Sequence, residues 1–78
     1  MHEHRIDVNA ERLVLSQVLG EERGQPLPIL YAALPMRPSR IDDAVAQLLA
    51  AQVLQRDASG VSPSIATARL DALGAIHL

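Results

Sequence analysis

The sequence contains no cysteine, lysine, phenylalanine or tryptophan, and Tyr31 is its only aromatic residue. The absence of cysteine excludes disulfide bonds and thiolate metal sites. Without large aromatic residues, the core of this 78-residue chain has to consist of leucine, valine, isoleucine and alanine. No stretch approaches the roughly 20 apolar residues that span a bilayer, and the segment MHEHRIDVNAER lacks the apolar region of a signal peptide. We therefore expect one domain over residues 1–78, located in the cytoplasm and not associated with a membrane.

Positive charge is also scarce, because seven arginines are set against nine acidic residues and the net charge is -2. This total argues against a protein that binds every polyanion indiscriminately. Only residues 37–56 are net basic, with three arginines and two aspartates. Any contact with nucleic acid is therefore expected in that part of the chain.

The composition and motifs also argue against catalysis. The chain has no glycine-rich phosphate loop and no arrangement of serine, histidine and acid, and its length leaves little room for a pocket. The HEH triplet at residues 2–4 lies at a terminus without preformed geometry, so we expect no metal site there. We predict that the protein is not an enzyme and uses no metal or cofactor.

The residues that are present indicate four helices and a hairpin. Apolar spacing and turn residues predict helices at about residues 8–19, 28–34 and 40–51, a β-hairpin at about 53–62, and a C-terminal helix at about 64–73. Asp7 or Asn9 can cap the first helix, and Gly20 is expected to end it in the left-handed conformation. Pro28 is suited to the first position of the second helix. Leu27, just before it, could pair as a one- or two-residue strand.

The stretch MRPSRIDDAVAQLL contains the third helix. Ser39 and Asp42 have the spacing of a capping box, which predicts a helix start near Arg40. Its apolar positions are Ile41, Val45, Leu48 and Leu49, whereas Arg40, Asp43, Gln47 and Ala50 lie on the other side. One side of this helix is thus predicted to be core and the other is free.

The last segments depend on turn and cap residues. Gly60 is expected to supply the positive φ of the hairpin turn DASG. Ser62 or Ser64 can cap the final helix, with Pro63 as a candidate for its first position. Gly74 is expected to end it, and the apolar residues in phase along it are Ile65, Ala68, Leu70 and Leu73.

The stretch LPILYAALPMRPSRIDDAVAQLLAAQVLQRDASGVSPS resembles a winged helix-turn-helix, as found in small transcription regulators of bacteria. The resemblance covers about residues 9–73 and implies an α+β, mostly α fold, in which the third helix enters the DNA major groove and the hairpin, or wing, touches the backbone. Carried over by position, the surface that would meet DNA is formed by Arg37, Ser39, Arg40, Asp43, Gln47, Arg56 and Ser59. Arg37 and Arg40 would contact phosphate, Gln47 an adenine edge, and Arg56 would anchor the wing.

This sequence departs from many DNA-binding winged helices in its charge. The third helix has no positive residue after Arg40, the wing offers one arginine beside one aspartate, and Gln52 stands where glycine is common. Our leading hypothesis is a winged helix that binds duplex DNA, as a homodimer, in transcription control. One alternative is a winged-helix module that binds a protein partner through apolar residues near both termini: Ile6, Val8, Ile76 and Leu78. Another is an accessory protein that imitates a nucleic-acid-binding shape.

Overall fold

The computed structural model of this protein describes residues 7–21 and 23–78. They form a mostly helical α+β fold, which confirms the predicted class. The elements follow in the order α1 (Val8–Leu19), α2 (Leu27–Ala33), α3 (Pro38–Ala50), β1 (Leu54–Asp57), β2 (Gly60–Pro63) and α4 (Ile65–Ala72). The HEH triplet and Ile6 lie outside the described residues.

The core is aliphatic, as the composition predicts. It is formed by one side of α1, one residue of α2, one side of α3 and one residue from each strand. Its buried members are Ala10, Val14, Val18, Leu30, Ile41, Ala44, Val45, Leu48, Leu54 and Val61. The opposite side of α3 remains exposed, since α1, α2 and the hairpin all contact its apolar side.

The two strands form an antiparallel hairpin in which Asp57 is paired with Gly60, so only residues 58 and 59 make the turn. Gly60 has φ 123°, which confirms the predicted positive angle. The other edge of β2 pairs with Gln25, whose N–H donates to the Val61 carbonyl at 2.7 Å and whose carbonyl accepts from the Val61 N–H at 2.9 Å. The predicted pairing at Leu27 is wrong, because Leu27 is already the first residue of α2.

Two helices start closer to the N-terminus than predicted, and a proline lies at the start of each. Pro26 is the N-cap of α2, so Pro28 occupies the second helical position rather than the first. Pro38 follows the N-cap Arg37 of α3, and no side chain caps this helix. The capping box predicted at Ser39 is therefore wrong: proline has a φ near the helical value and no N–H to leave unpaired, which favours it in the first helical position.

The helix ends differ from one another. Gly20 has φ -75° and stays right-handed, so the predicted left-handed end of α1 is wrong; its N–H still donates to the Ser16 carbonyl at 3.1 Å in the helical pattern. After α3, Gln52 takes the left-handed conformation with φ 62°. Hydrogen bonds from Gln52 N–H to the Leu49 carbonyl and from Val53 N–H to the Leu48 carbonyl complete a Schellman motif.

Replacing Gln52 by glycine is expected to stabilise the protein. A residue with a side chain loses about 1–2 kcal/mol in the left-handed region, and the greater freedom of glycine in the unfolded chain offsets part of that gain. We expect a net increase of about 0.5–1 kcal/mol in the free energy of unfolding, measured by urea denaturation. Gln47→Gly is the matched control, since the same change inside α3 should destabilise by about 1 kcal/mol. Equal effects of the two substitutions would contradict this explanation.

The last helix, α4, is held mainly at its start. Ser64 caps it by accepting the N–H of Thr67 at 3.2 Å, and Thr67 is its one buried residue. Pro63 is the last residue of β2 and not the first of the helix. Gly74 ends α4 with φ 75°, as predicted. The apolar residues predicted to be in phase are exposed, with Ile65 at 79% and Leu73 at 72%.

Candidate functional site

The outer side of α3 carries small and uncharged residues around one aspartate. Ser39, Asp43, Ala46 and Ala50 recur every three or four positions and form one line along the exposed side, with Gln47 beside it. The structure thus brings together three predicted site residues, namely Ser39, Asp43 and Gln47. This line contains no arginine, so positive charge reaches it only from the N-terminal end and the flank of the helix.

Arg37 lies at that N-terminal end. It is the N-cap residue of α3 and is exposed. No ion pair involving Arg37 is found among residues 7–21 and 23–78. Pro38 has no N–H, and the Arg40 N–H donates to the Arg37 carbonyl at 3.0 Å, so the Ser39 N–H is the donor of the first turn that lacks a backbone partner in the described part of the chain.

Arg40 lies on the flank of α3 and is already bound within the protein. Its Nε donates to Oδ2 of Asp7 at 2.9 Å, and its Nη2 donates to Oδ1 at 3.0 Å. Asp7 also caps α1, because its Oδ1 accepts the Ala10 N–H at 3.1 Å. The hydrogen bond from Ala10, and after it the one from Arg40, lowers the pKa of Asp7. Arg40, predicted to contact a phosphate of DNA, therefore already binds a carboxylate of the protein itself.

Asp42 lies on the opposite flank of α3, where it accepts a short hydrogen bond from the Tyr31 hydroxyl of α2. This bond, rather than a helix cap, is what Asp42 contributes. The hydrogen bond raises the pKa of Tyr31 above its ordinary value of 10.0. Sequence patterns give no sign of this contact, because a tyrosine and an aspartate on two different helices carry no pairing signal.

Replacing Asp42 by asparagine is expected to lower the pKa of Tyr31 toward 10.0. A group whose pKa is raised in the folded state contributes stability that is present below its unfolded pKa and lost as the pH rises through the folded pKa. The phenolate of the folded protein should therefore form at higher pH than that of the urea-unfolded chain. Ultraviolet absorbance measures this directly, because Tyr31 is the only aromatic residue.

Asp43→Asn is the matched control for the Tyr31 titration. It removes the same charge from the neighbouring position, and Asp43 makes no described contact with the hydroxyl. Circular dichroism at each pH establishes that the fold persists. If both substitutions shift the Tyr31 pKa equally, the general charge of α3 and not the hydrogen bond sets it.

The hairpin directs its two charged residues to opposite faces. Arg56 is paired across the strands with Val61 and lies two residues from Leu54, so it shares their face and is exposed. Asp57 lies on the other face, where it stabilises the turn. Its Oδ1 accepts the N–H and hydroxyl of Ser59 at 2.9 and 2.7 Å, and its Oδ2 accepts the Ser62 hydroxyl at 3.1 Å.

These contacts determine which charged residue of the hairpin is available to a partner. The Ser59 hydroxyl, followed by the Ser59 N–H and the Ser62 hydroxyl, lowers the pKa of Asp57, so this carboxylate remains charged. It is used within the turn and makes no ion pair with Arg56. Ser59, predicted to face DNA, is exposed and donates its hydroxyl to Asp57. Arg56 is left as the wing residue available to a partner.

A second surface of the protein is apolar. Ile65 and Leu70 of α4 and its C-cap residue Leu73 are exposed, and an open groove of about 360 Å³ separates the start of α4 from β1. Leu78 beyond the helix is 47% exposed and Val8 at the start of α1 is 55% exposed.

Two further findings concern metals and membranes. Within residues 7–21 and 23–78, no three histidine, cysteine or acidic side chains lie close enough together to hold a metal ion. In the same part of the chain, none of the helices has the length and apolar character needed to span a bilayer.

No protein-family model, no curated protein and no solved structure matches this chain significantly. The features that bear on function lie on the surface around α3. They are Arg37, the ion pair between Arg40 and Asp7, and the exposed side of the helix.

Proposed function

We propose that this domain is a winged helix-turn-helix module that binds duplex DNA and acts in transcription control. The order of elements supports the proposal, since two helices joined by residues 34–37 are followed directly by a hairpin. In helix-turn-helix proteins the second helix of such a pair lies in the major groove and the first crosses the backbone. Here α3 would read the groove, α2 would support it, and Arg56 would contact phosphate beside it.

The observation that carries the proposal is the N-terminal end of α3. This helix of 13 residues has no side-chain cap, its outer side is uncovered, and Arg37 and Arg40 flank its first turn. The Ser39 N–H, the positive end of the helix dipole and a guanidinium group together favour a phosphate. The small residues Ser39, Ala46 and Ala50 allow close approach of the helix to a groove, and Gln47 can pair with a base edge.

The count of arginines sets the expected affinity. Proteins that bind DNA well make about 6–10 phosphate contacts. One copy of this domain offers Arg37, Arg40 and Arg56, and Asp43 opposes them from the middle of α3. We therefore propose that it acts as a homodimer, because a single copy would bind DNA weakly.

Fluorescence anisotropy with a mixed-sequence duplex tests the proposal. We expect binding with a Kd of about tens of micromolar at low salt, which weakens steeply as salt is added because counterions are released from the DNA. Light scattering with and without duplex gives the number of copies, since one chain has a mass of 8.4 kDa. No salt-dependent binding at about 100 µM protein would reject the DNA-binding proposal.

A second candidate function, favoured by the apolar surface of α4, is a module that binds another protein. Ile65 and Leu73 are more than two-thirds exposed, which is unusual for large aliphatic residues on one short helix. Chemical cross-linking to partners that survives in Asp43→Asn but is lost in Ile65→Glu would favour this function. Duplex binding that is unchanged in Ile65→Glu would show that the two surfaces act separately.

A further inference from the structure

We propose that Asp7 is an intramolecular competitor of DNA for Arg40. This inference rests on the proposed function and adds a means of controlling it. A carboxylate and a phosphate offer a guanidinium group the same pair of oxygen acceptors. Because Asp7 already accepts from both Nε and Nη2 of Arg40, duplex DNA has to displace it to gain that contact.

The position of the pair allows this exchange. Both side chains are partly exposed, at 45% for Arg40 and 42% for Asp7, so water and a phosphate can reach them. Exposed ion pairs of this kind contribute little to stability, and breaking one leaves the fold intact. The contact joins the start of α1 to the first turn of α3, and the cap that Asp7 provides to Ala10 does not require Arg40.

Competition between Asp7 and phosphate predicts that Arg37 and Arg40 contribute unequally to DNA affinity. Arg37 has no ion-pair partner among the described residues, whereas Arg40 has to give up Asp7 for each phosphate it binds. In the wild-type protein Arg40 should therefore add less to DNA affinity than its position suggests. Removal of the Asp7 charge should restore that contribution.

Asp7→Ser tests this inference, because serine is among the best N-cap residues and should keep α1 capped while removing the charge. We expect the duplex affinity at low salt to rise about two- to five-fold and the salt dependence to steepen by about one counterion. Thermal unfolding of the variant establishes that the fold is retained. Asp71→Ser, on α4, changes the net charge equally without touching Arg40 and should have a smaller effect.

A double-mutant cycle isolates the Arg40 contact. In an Arg40→Gln background, Asp7→Ser should raise the affinity no more than Asp71→Ser does. The inference is overturned if wild type binds duplex and Asp7→Ser does not bind more tightly, or if the gain is the same with and without Arg40. Absence of duplex binding by every variant, Asp7→Ser included, would reject the proposed function together with this inference.

The contact itself can be followed by NMR on the uncomplexed protein. The Arg40 Nε–H resonance should be protected from solvent exchange in wild type and lose that protection in Asp7→Ser. Addition of duplex to wild type should shift this resonance, as Asp7 is replaced by phosphate. An Arg40 Nε–H that is unprotected in wild type would show that the pair does not form, independently of DNA binding.

Discussion

Gly60→Ala is expected to destabilise the protein by roughly 3–5 kcal/mol, which is a large part of the stability of a domain this size. Gly60 has φ 123°, an angle that residues with a side chain rarely adopt. A Cβ at this position would also lie 2.5 Å from the Gln25 carbonyl carbon and 2.5 Å from the Pro26 nitrogen. These are backbone atoms, so relief requires the α1–α2 loop to move away from the hairpin.

The expected damage extends beyond one residue. Moving Gln25 breaks its two hydrogen bonds with Val61, and Val61 is a buried core residue. Thermal unfolding followed by circular dichroism should show a decrease in Tm of about 15 °C or more, if the variant folds at all. The proposed duplex binding should be lost in parallel.

Gly74→Ala is the matched control for Gly60→Ala. Gly74 also has a positive φ, 75°, but no atom lies within 4 Å of a Cβ built there. This substitution should cost only the conformational strain, about 1 kcal/mol. Similar losses in the two variants would mean that the backbone angle alone, and not the approach of Gln25 to the hairpin, determines the role of Gly60.

The sequence predicted the elements of this fold well, because most of their signals are local. The bounds of α1 are the predicted ones, since apolar spacing and the Asp7 cap agree on them. The start of α3 was misplaced because two local signals compete there: Ser39 fits a capping box, and Pro38 fits the first helical position. The proline prevails because its fixed φ and missing N–H favour that position in any context.

The candidate site was harder to predict than the fold. Its positions on α3 follow from helical spacing, and Ser39, Asp43 and Gln47 do lie on the exposed side. Whether an exposed arginine is available depends on contacts between distant residues. Asp7 precedes Arg40 by 33 positions, so the pair exists only because α1 and α3 pack side by side.

Charge availability, rather than charge count, therefore decides which arginines can act. Arg40 is held by Asp7, and Asp57 is directed into its own turn and makes no ion pair with Arg56. The sequence suggests that Asp57 weakens the wing and that Arg40 strengthens α3. The contacts show instead that Asp57 stabilises the turn of the hairpin and that Arg40 is paired with Asp7.

Replacing Arg37 and Arg40 together by alanine is expected to weaken duplex binding on the order of 10- to 100-fold at about 0.1 M salt. Each arginine that neutralises a phosphate contributes about 0.9 to the slope of the logarithm of affinity against the logarithm of salt. The slope should therefore fall by about one, mostly through Arg37, because Asp7 suppresses the contribution of Arg40 in the wild-type protein. Anisotropy titrations at several salt concentrations measure both quantities. The single variant Arg37→Ala should account for more of the loss, because Arg40 is shared with Asp7.

Arg12→Ala combined with Arg69→Ala is the matched control for this pair. These arginines lie on α1 and α4 and are exposed, and replacing them removes the same charge from helices other than α3. An equal fall in slope for both pairs would indicate diffuse attraction between the domain and DNA. If the slope falls in the Arg12→Ala, Arg69→Ala variant and not in the Arg37→Ala, Arg40→Ala variant, DNA binds to another face of the protein and not to α3.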